Sequence, residues 1–259
     1  MAISEESIFC LNCDAQIAQQ AFIEAHKVCL ECNHHHYMNA YERLELLADD
    51  NSFEEYDSGL YTVNPLDFPG YEASLERSYA KTSLRSEILT GIGKIGGFST
   101  AIAIADMGII GGSVGSVIGE KLTRCIERAI ERKLPLVTVS VSGGMRMQEG
   151  TLSLMQMAKT AAACVRHAEA GLFYISVMTD PTFGGTTASY ASLAQVILAE
   201  PAARIGFAGP RAIASLREKL PDNFQKSEFL LEHGLIDRVV QRSEMRSLLI
   251  DLLDFASPS

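Results

Sequence analysis

AIAIADMGIIGGSVGSVIGEKL (residues 101–122) joins an apolar run to a helix-forming pattern through two adjacent glycines. The same pattern recurs in PLVTVSVSGGMRMQEGTLSLMQMAK (135–159) and in LFYISVMTDPTFGGTTASYASLAQ (172–195). A strand that enters a helix through Gly-Gly leaves backbone N–H groups without partners at the positive end of the helix. Such a turn can bind an oxyanion, whether a phosphate or an enolate, and needs no catalytic side chain to do so.

The segments around these turns alternate between strand and helix from Ile88 onward, which indicates a layered α/β domain. The pattern is consistent with a repeated ββα superhelix, although a doubly wound sheet also fits it. We expect a hairpin over 88–106, strands over 135–142, 172–180 and 203–210, and helices over 115–133, 147–170, 186–201, 211–221 and 225–256, the last with a break at 233–240. In the helix over 147–170 we expect four side chains to pack inward, namely Leu152, Met155, Met157 and Ala161.

Four cysteines near the N-terminus follow the spacing C-x2-C-x15-C-x2-C, at Cys10, Cys13, Cys29 and Cys32. Two tight knuckles separated by a hairpin-sized insert are typical of a zinc ion held by four thiolates. Because four thiolates fill the coordination sphere, we expect a structural Zn²⁺. The neighbouring histidines 34–36 are interpreted as a surface or helix-start cluster.

The remaining segments predict three parts: a four-cysteine zinc ribbon over 1–36, a helical and acidic connector over 37–87, and an α/β domain over 88–259. Residues 1–80 carry 15 acidic and 3 basic residues, and the whole chain has a net charge of −10. The negative charge is therefore concentrated in the N-terminal part. That excess argues against nucleic acid binding by the N-terminal part. We read neither a signal peptide nor a membrane span, so we expect a cytoplasmic protein.

Several motifs of common enzyme classes are missing from this sequence. It has no Walker A lysine and no HExxH. Its GxGxxG spacing (91–96) lies inside the predicted hairpin and not between a strand and a helix, and its GxSxG spacing (111–115) is part of the first glycine turn, with no sequence sign of a partnered histidine. Binding of a nucleoside triphosphate or dinucleotide, zinc protease activity and serine hydrolase activity therefore lack support. The chemistry is instead expected at DPTFGG (180–185), SGGMRMQEG (142–150) and IGFAGPR (205–211). A plain glycine turn is the alternative for each. Arg146 and Glu149 also lie three residues apart, which suits a structural ion pair as well as a functional role.

The order of these motifs resembles the bacterial acetyl-CoA carboxylase carboxyltransferase β-subunit family. The resemblance extends from Cys10 to about Asp237 through MGIIGGSVGSVIGEK, SVSGGMRMQEG, YISVMTDPTFGG, AEPAARIGFAGPR and KLPDNFQKSEFLLEHGLID. It implies a crotonase (ClpP-like) ββα superhelix preceded by a small zinc ribbon. It also implies an α2β2 heterotetramer in which a separate α subunit supplies the carboxybiotin half of the active site.

The resemblance further implies that carboxylate passes from biotin on a carrier protein to acetyl-CoA, which gives malonyl-CoA. By motif match, Gly184 and Gly185 correspond to the hole for the thioester oxygen. The CoA channel is expected along Gly111, Gly112, Gly143 and Gly144, with Arg146 and Arg211 as candidate partners of the CoA phosphates. This chain has no biotin-accepting AMKM sequence, so biotin must arrive on the biotin carboxyl carrier protein.

Two positions depart from the family pattern. Met145 stands where the family usually has Ala, and Phe183 stands where it usually has Thr. Both flank the expected site and both add bulk. This bulk motivates one alternative, an inhibitor-resistant specialised paralogue in a biosynthetic cluster. Two further alternatives stay open on other grounds: a malonyl-thioester decarboxylase subunit, which would use the same oxyanion hole, and a protein whose zinc ribbon contacts nucleic acid and whose body is crotonase-like. The segment before the first glycine pair also departs from the family and carries Asp106.

Overall fold

Two short strands and a helix form the N-terminal ribbon (residues 7–36) of the computed structural model, which describes residues 7–82, 87–209, 213, 215 and 220–257. Strand β1 (Ser7–Phe9) pairs antiparallel with β2 (Gln16–Ala18), and helix α1 (Gln19–Glu24) follows directly. The ribbon has its own small core of Cys10, Ile17, Phe22 and Cys29. This core is too small to stabilise a fold by burial alone.

An eight-stranded sheet forms the centre of the body, by which we mean the described residues from 37 to 257. Its strands are β3 (Glu54–Glu55), β4 (Ile88–Ile95), β5 (Phe98–Ala105), β6 (Leu136–Ser142), β7 (Tyr174–Phe183), β8 (Val196–Ala199), β9 (Ile205–Gly206) and β10 (Arg238–Val239). They run in the order β10-β8-β7-β6-β5-β4-β3, and β9 pairs with β7. The predicted hairpin is present as β4 and β5, and the pairs from β5 to β10 are parallel. The carboxyl ends of β5, β6, β7 and β8 therefore lie at one edge of the sheet, where α/β proteins place their ligands.

Helices cover both faces of this sheet. Helices α4 (Ser116–Arg132) and α5 (Gly150–Glu169) pack on one face. Helices α2 (Ala40–Leu47), α3 (Tyr71–Lys81) and the C-terminal α7 (Arg242–Ala256) pack on the other, and the short α6 (Ser227–Glu232) precedes β10. The connector thus contributes β3, α2 and α3 to the body. The helix predicted over 115–133 is present as α4, and the four-residue period of Ile118, Leu122 and Ile126 places these side chains in the interior.

The predicted inward face of α5 is wrong for Leu152 and Met155, whereas Met157 and Ala161 are half-buried. Leu152 and Met155 are exposed, and small or polar side chains face the core instead: Ser153, Gln156, Thr160, Ala163, Cys164 and His167. Close packing explains the reversal. A Cβ on Gly119 of α4 would lie 2.1 Å from Oε1 of Gln156. The two helices meet where one of them has no side chain, so bulky apolar residues of α5 are excluded from that contact.

The helix expected over 186–201 is also absent. A single 3-10 turn (Tyr190–Ser192) is followed by strand β8, which pairs with β7. A short apolar run such as VILA fits either a buried helix or a buried strand, and here its β-branched residues complete the sheet. Most of the helix expected over 211–221 lies outside the described residues. No helix within the described part of the chain is long and apolar enough to cross a membrane.

Candidate functional site

The four cysteines of the ribbon lie close enough together to hold one metal ion. Their Sγ atoms all lie within 4.8 Å of one another, with 3.7 Å between Cys10 and Cys32 and 3.8 Å between Cys13 and Cys29. A tetrahedral zinc site with Zn–S bonds of about 2.3 Å separates its sulfur atoms by about 3.8 Å. A disulfide would need an S–S distance of about 2.05 Å. The described cysteines therefore fit a closed four-thiolate metal site and not two disulfides.

Asn12 helps to prepare this site for a metal. Its backbone N–H donates to Sγ of Cys10 at 3.4 Å, and its side-chain amide donates to Sγ of Cys32 at 3.5 Å. The amide hydrogen bond from Asn12 lowers the pKa of the Cys32 thiol to about 6. A thiolate is the form that binds zinc, so this contact favours the ligating state.

A buried ionic cluster joins the ribbon to the body. Both oxygens of Glu200 accept hydrogen bonds from Arg43 and from Arg242, at 2.7 to 3.1 Å. Arg242 also donates to the carbonyl oxygens of His26 and His36 in the ribbon. Burial alone would raise the pKa of Glu200, but the charge of Arg43 and the hydrogen bonds from Arg242 hold it well below its usual range.

The histidines after the last cysteine belong to this joint, so their interpretation as a surface or helix-start cluster is wrong for two of the three. His35 and His36 are buried. Nε2 of His35 lies 2.9 Å from Oε1 of Gln241, and its Nδ1 lies 3.6 Å from Oε2 of Glu200. A histidine run gives no sequence signal of such long-range partners, because they come from the far end of the chain.

The three glycine pairs meet at the carboxyl edge of the sheet. The N–H of Gly143 donates to the carbonyl oxygen of Gly111 at 2.9 Å, which joins the first pair to the second. A Cβ on Gly184 would lie 3.2 Å from Cα of Gly144, which places the second pair against the third. Gly184 and Gly144 have φ of +63° and +115°, a range that favours glycine. A side chain at either position would be strained, and at Gly184 it would also press on the neighbouring turn.

Most N–H groups of these turns already have acceptors. Gly184 donates to the carbonyl oxygen of Gly206, Gly112 to that of Ile109, and Gly144 to Oγ of Ser142. Within the described part of the chain, the N–H groups of Gly185 and Met145 have no hydrogen-bond acceptor. The two residues are adjacent, since a Cβ on Gly185 would lie 2.6 Å from Cγ of Met145. The geometry therefore offers Gly185 and Met145 as a pair of donors, with Gly184 shaping the turn.

The two positions that depart from the family pattern lie in different surroundings. The sulfur atoms of Met145 and Met157 both lie 2.5 Å from the position that a Cβ on Gly185 would take, so these two side chains cover Gly185. Phe183 is buried at the end of β7. Met145 thus borders the donor pair directly, whereas Phe183 belongs to the interior beneath it.

Of the two candidate CoA-binding arginines, only Arg146 lies among the described residues, and its side chain does not face a ligand site. Arg146 is completely buried, and its NH1 lies 2.8 Å from Oε1 of Glu87 and 3.6 Å from Oε1 of Glu149. This placement fits the structural ion pair better than a contact with CoA phosphates. Arg211 lies outside the described residues. Glu87 gave no sequence signal, because it reaches Arg146 from a distant segment.

Asp106, which the sequence comparison with the family singled out, has a structural task. Its Oδ2 accepts from the backbone N–H of Ala40 at 2.6 Å, and its Oδ1 accepts from Tyr37 and from the N–H of Gly108. The buried carboxylate therefore ties the start of α2 to the end of β5. Its contacts hold the connector on the body next to the first glycine turn.

Comparison with known proteins identifies the family of this chain. The carboxyl transferase domain family matches residues 37–223. The acetyl-coenzyme A carboxylase carboxyl transferase subunit beta of Desulforamulus reducens is 50% identical over 245 residues, which are 94% of this chain and 85% of the relative. The protein of the same description from Clostridium novyi is 48% identical over 246 residues, 95% of this chain and 86% of the relative. This chain belongs to the acetyl-coenzyme A carboxylase carboxyl transferase β-subunit family.

The predicted family and the enzyme class, a carboxyltransferase, are thereby confirmed. A transcarboxylase 12S structure with methylmalonyl-coenzyme A bound has a TM-score of 0.72 and 26% identity, over 84% of this chain and 41% of that chain. A Pseudomonas malonate decarboxylase MdcD-MdcE heterodimer has a TM-score of 0.65 and 24% identity, over 86% of this chain and 88% of that chain, a likeness of fold alone. These neighbours confirm the crotonase-like superhelix for the β-subunit family member described above.

Proposed function

We propose that this chain is the acetyl-CoA-binding half of an acetyl-CoA carboxylase carboxyltransferase, active together with an α subunit. The observation that carries the proposal is that two neighbouring residues, Gly185 and Met145, each have a backbone N–H with no acceptor among the described residues. Two such donors can bind the thioester oxygen of acetyl-CoA. They hold it more strongly as negative charge develops on it during formation of the enolate.

In the proposed mechanism the glycines around this pair let the thioester approach the two N–H groups, and the hydrogen bonds between the glycine turns hold these groups in place. Gly144 and Gly184 leave room for a planar thioester, because neither presents a side chain. The donors need no reorganisation when charge develops, since the turns are fixed by the hydrogen bonds from Gly143 to Gly111 and from Gly184 to Gly206. Carboxybiotin, bound to a separate carrier protein, supplies the carboxyl group, so this chain needs no biotin-accepting lysine.

Helix α5 of this chain offers a candidate interface for an α subunit. The outward side of α5 presents exposed apolar side chains that follow the helix: Leu152, Leu154, Met155 and Val165. The first three of these lie within about one turn of the helix, and grouped exposed apolar side chains mark protein–protein interfaces. The helix begins next to the site and carries Met157, which covers Gly185. We propose that the α subunit packs here in an α2β2 complex, in the cytoplasm where acetyl-CoA and the carrier would be used.

We also propose that the metal is one structural Zn²⁺ on the four ribbon cysteines. The support is the sulfur spacing described above and a ligand set that leaves no coordination position for substrate. The ion would hold the two knuckles together. It takes no part in carboxyl transfer.

Reconstitution with an α subunit tests the function. The chain is mixed with the α subunit and a carboxylated carrier, and the conversion of acetyl-CoA to malonyl-CoA is measured with each component omitted in turn. Activity that requires all three supports the proposal. Decarboxylation of a malonyl thioester without carboxylation of acetyl-CoA would instead identify a decarboxylase subunit.

The variant Gly185→Val tests the donor pair within the reconstituted complex. Its Cβ would collide with the sulfur atoms of Met145 and Met157, so the hole would be displaced. Loss of one oxyanion donor lowers the rate by about 10²- to 10³-fold. Gly59→Val is the matched control, because nothing lies within 4 Å of a Cβ there. Near-normal kcat in Gly185→Val would reject this hole.

A further inference from the structure

The backbone around Met145 is held by one neighbouring segment. The N–H of Val114 donates to the carbonyl oxygen of Gly144 at 2.8 Å, and the N–H of Arg146 donates to the carbonyl oxygen of Val114 at 2.9 Å. This is a parallel bridge between Val114 and Met145. In such a bridge the residues on either side of Met145 form the hydrogen bonds to the partner segment, through the carbonyl oxygen of Gly144 and the N–H of Arg146. The N–H of the central residue points away from that segment. The direction of the Met145 N–H therefore depends on where the segment around Val114 lies.

The side chain of Arg146 fastens that segment from behind. Its Nε donates to Oγ of Ser113 at 3.1 Å, and its NH2 donates to the carbonyl oxygen of Ser113 at 2.6 Å. The guanidinium of Arg146 and its backbone N–H thus bind two consecutive residues of one segment. A shift of Ser113 would move Val114, and with it the Met145 peptide.

The other end of the same guanidinium is anchored in the interior. NH1 of Arg146 lies 2.8 Å from Oε1 of Glu87 and 3.2 Å from both Oγ1 of Thr62 and the hydroxyl of Tyr71. The hydroxyl of Tyr71 donates in turn to Oε1 of Glu149 at 2.9 Å. These partners come from the connector, from the start of β4 and from the loop before α5. One planar fork therefore joins separate parts of the chain to the segment beside Met145.

The charges of this network are balanced, although it is buried. Arg146 has the two carboxylates of Glu87 and Glu149 beside it, and Lys121 is buried nearby on α4. Burial lowers the pKa of Lys121, while Glu87 is among the carboxylates that oppose this shift. Glu149 also accepts from the N–H of Ser116 at the first turn of α4, at 2.6 Å. Buried ion networks of this kind cost desolvation, so they add little net stability. What the network does supply here is a fixed position for the loop.

We infer that Arg146 is a positioning residue for carboxyl transfer, which holds the Met145 N–H in the place where it meets the thioester oxygen. The inference rests on the proposed oxyanion hole of Gly185 and Met145 and deepens it. Arg146 does not touch the substrate. It acts through Ser113 and Val114, and its loss misplaces one of two donors without closing the acyl-CoA site.

Arg146→Lys tests the inference in the reconstituted complex. Lysine keeps the buried positive charge, so the charge balance with Glu87 and Glu149 is retained. Its single ammonium cannot reach the Ser113 side and the Glu87 side together. We expect kcat to fall by about 10- to 100-fold, as for a small misplacement of a catalytic group, while KM for acetyl-CoA changes less than threefold. Binding of a nitronate analogue of the acetyl-CoA enolate should weaken by a factor similar to that in kcat, and binding of CoA itself should not.

Arg128→Lys is the matched control. Arg128 lies on a distant part of α4, and its guanidinium forms a bidentate ion pair with the carboxylate of Asp57. Its kcat should stay within twofold of the unchanged complex. If Arg146→Lys does not fold, Tyr71→Phe decides, since it removes one hydroxyl partner and keeps the ring. A fall of at least threefold in its kcat at constant KM supports the inference. Unchanged kcat and unchanged binding of the nitronate in the variant that folds would overturn it, and an inactive Gly185→Val in the same assay shows that the hole itself stands.

Discussion

The ribbon and the body of this chain differ in what holds them together. The ribbon buries four apolar side chains in its core, and two of these belong to the four-cysteine cluster that could hold a metal. The body covers both faces of an eight-stranded sheet with helices, and its interior is filled by aliphatic and aromatic side chains. A bound metal could therefore take over the task of a core in the small ribbon, whereas the larger unit has an extensive apolar interior of its own. The joint between them is ionic, at Glu200, Arg43 and Arg242.

Loss of the metal should have the largest effect, because it should unfold the ribbon and leave the body folded. Structural zinc supplies apparent free energies of about 10–16 kcal/mol in finger peptides, far more than so small a core can provide. We expect Cys29→Ser to lose the ion and to lose hydrogen-exchange protection in residues 7–36, while β4 to β8 stay protected. Cys164→Ala is the control, because Cys164 is a buried thiol of α5 outside the ribbon.

Metal analysis of the purified chain measures the first part directly. One equivalent of Zn²⁺ per chain is expected, and one equivalent should remain in Cys164→Ala. Less than half an equivalent in the unchanged chain would contradict the zinc assignment. Loss of protection across the sheet as well as the ribbon would contradict the separation of the two regions.

The ionic joint should respond less, but still measurably. Glu200→Gln keeps the shape of the side chain and leaves Arg43 and Arg242 buried without a carboxylate. Removal of one partner of a buried pair costs about 3–5 kcal/mol. Glu127→Gln is the control, since its pair with Arg166 is half exposed and should contribute less than about 1 kcal/mol. The free energy of unfolding in denaturant is the measurement, and equal losses in both variants would show that the joint is dispensable.

The pH dependence of the same joint has a defined sign. The pKa of Glu200 in the folded chain lies well below its value in the unfolded chain. Its contribution is therefore fully present above the unfolded pKa of about 4.3, and it is lost as pH falls toward the folded pKa. Below about pH 4 the unchanged chain should lose stability more steeply than Glu200→Gln. Parallel curves for the two proteins would argue against this role of Glu200.

The parts of the molecule that the sequence predicts correctly are those with local signals. The cysteine spacing predicts the four-cysteine cluster, and the four-residue period of Ile118, Leu122 and Ile126 predicts α4. The prediction fails where tertiary contacts decide. Val196 and its neighbours become β8 because β7 offers an edge to pair with, and Met155 faces outward because Gly119 lets α5 approach closely. No local pattern could show either contact.

The site divides in the same way. Gly184 and Gly185 follow from the motif, but which N–H groups remain free depends on Gly206, which comes from a later strand. The role of Arg146 depends on Ser113 and Glu87, which lie 33 and 59 positions away along the chain. Its charge and its place beside Glu149 allowed two readings from sequence. Only the set of partners separates a ligand-binding arginine from one that fixes a loop.

The smallest expected effect concerns the two bulky positions. Met145 covers Gly185, whereas Phe183 is buried. We therefore expect Met145 to restrict the entry of inhibitors, and Phe183 to contribute to stability. Met145→Ala should open the space above the donor pair and make the complex about tenfold more sensitive to enolate-mimicking inhibitors, since a small group in a pocket is worth about 1–3 kcal/mol. Turnover should change much less, because the N–H of residue 145 belongs to the backbone and stays.

Phe183→Thr should instead lower the stability of the fold by about 2–4 kcal/mol through the cavity it leaves, with little change in inhibition. Inhibition curves for both single variants, measured with the same α subunit, separate the effects. Overlapping curves for Met145→Ala and the unchanged complex would leave neutral drift as the explanation of Met145, and the two donors would keep their assignment.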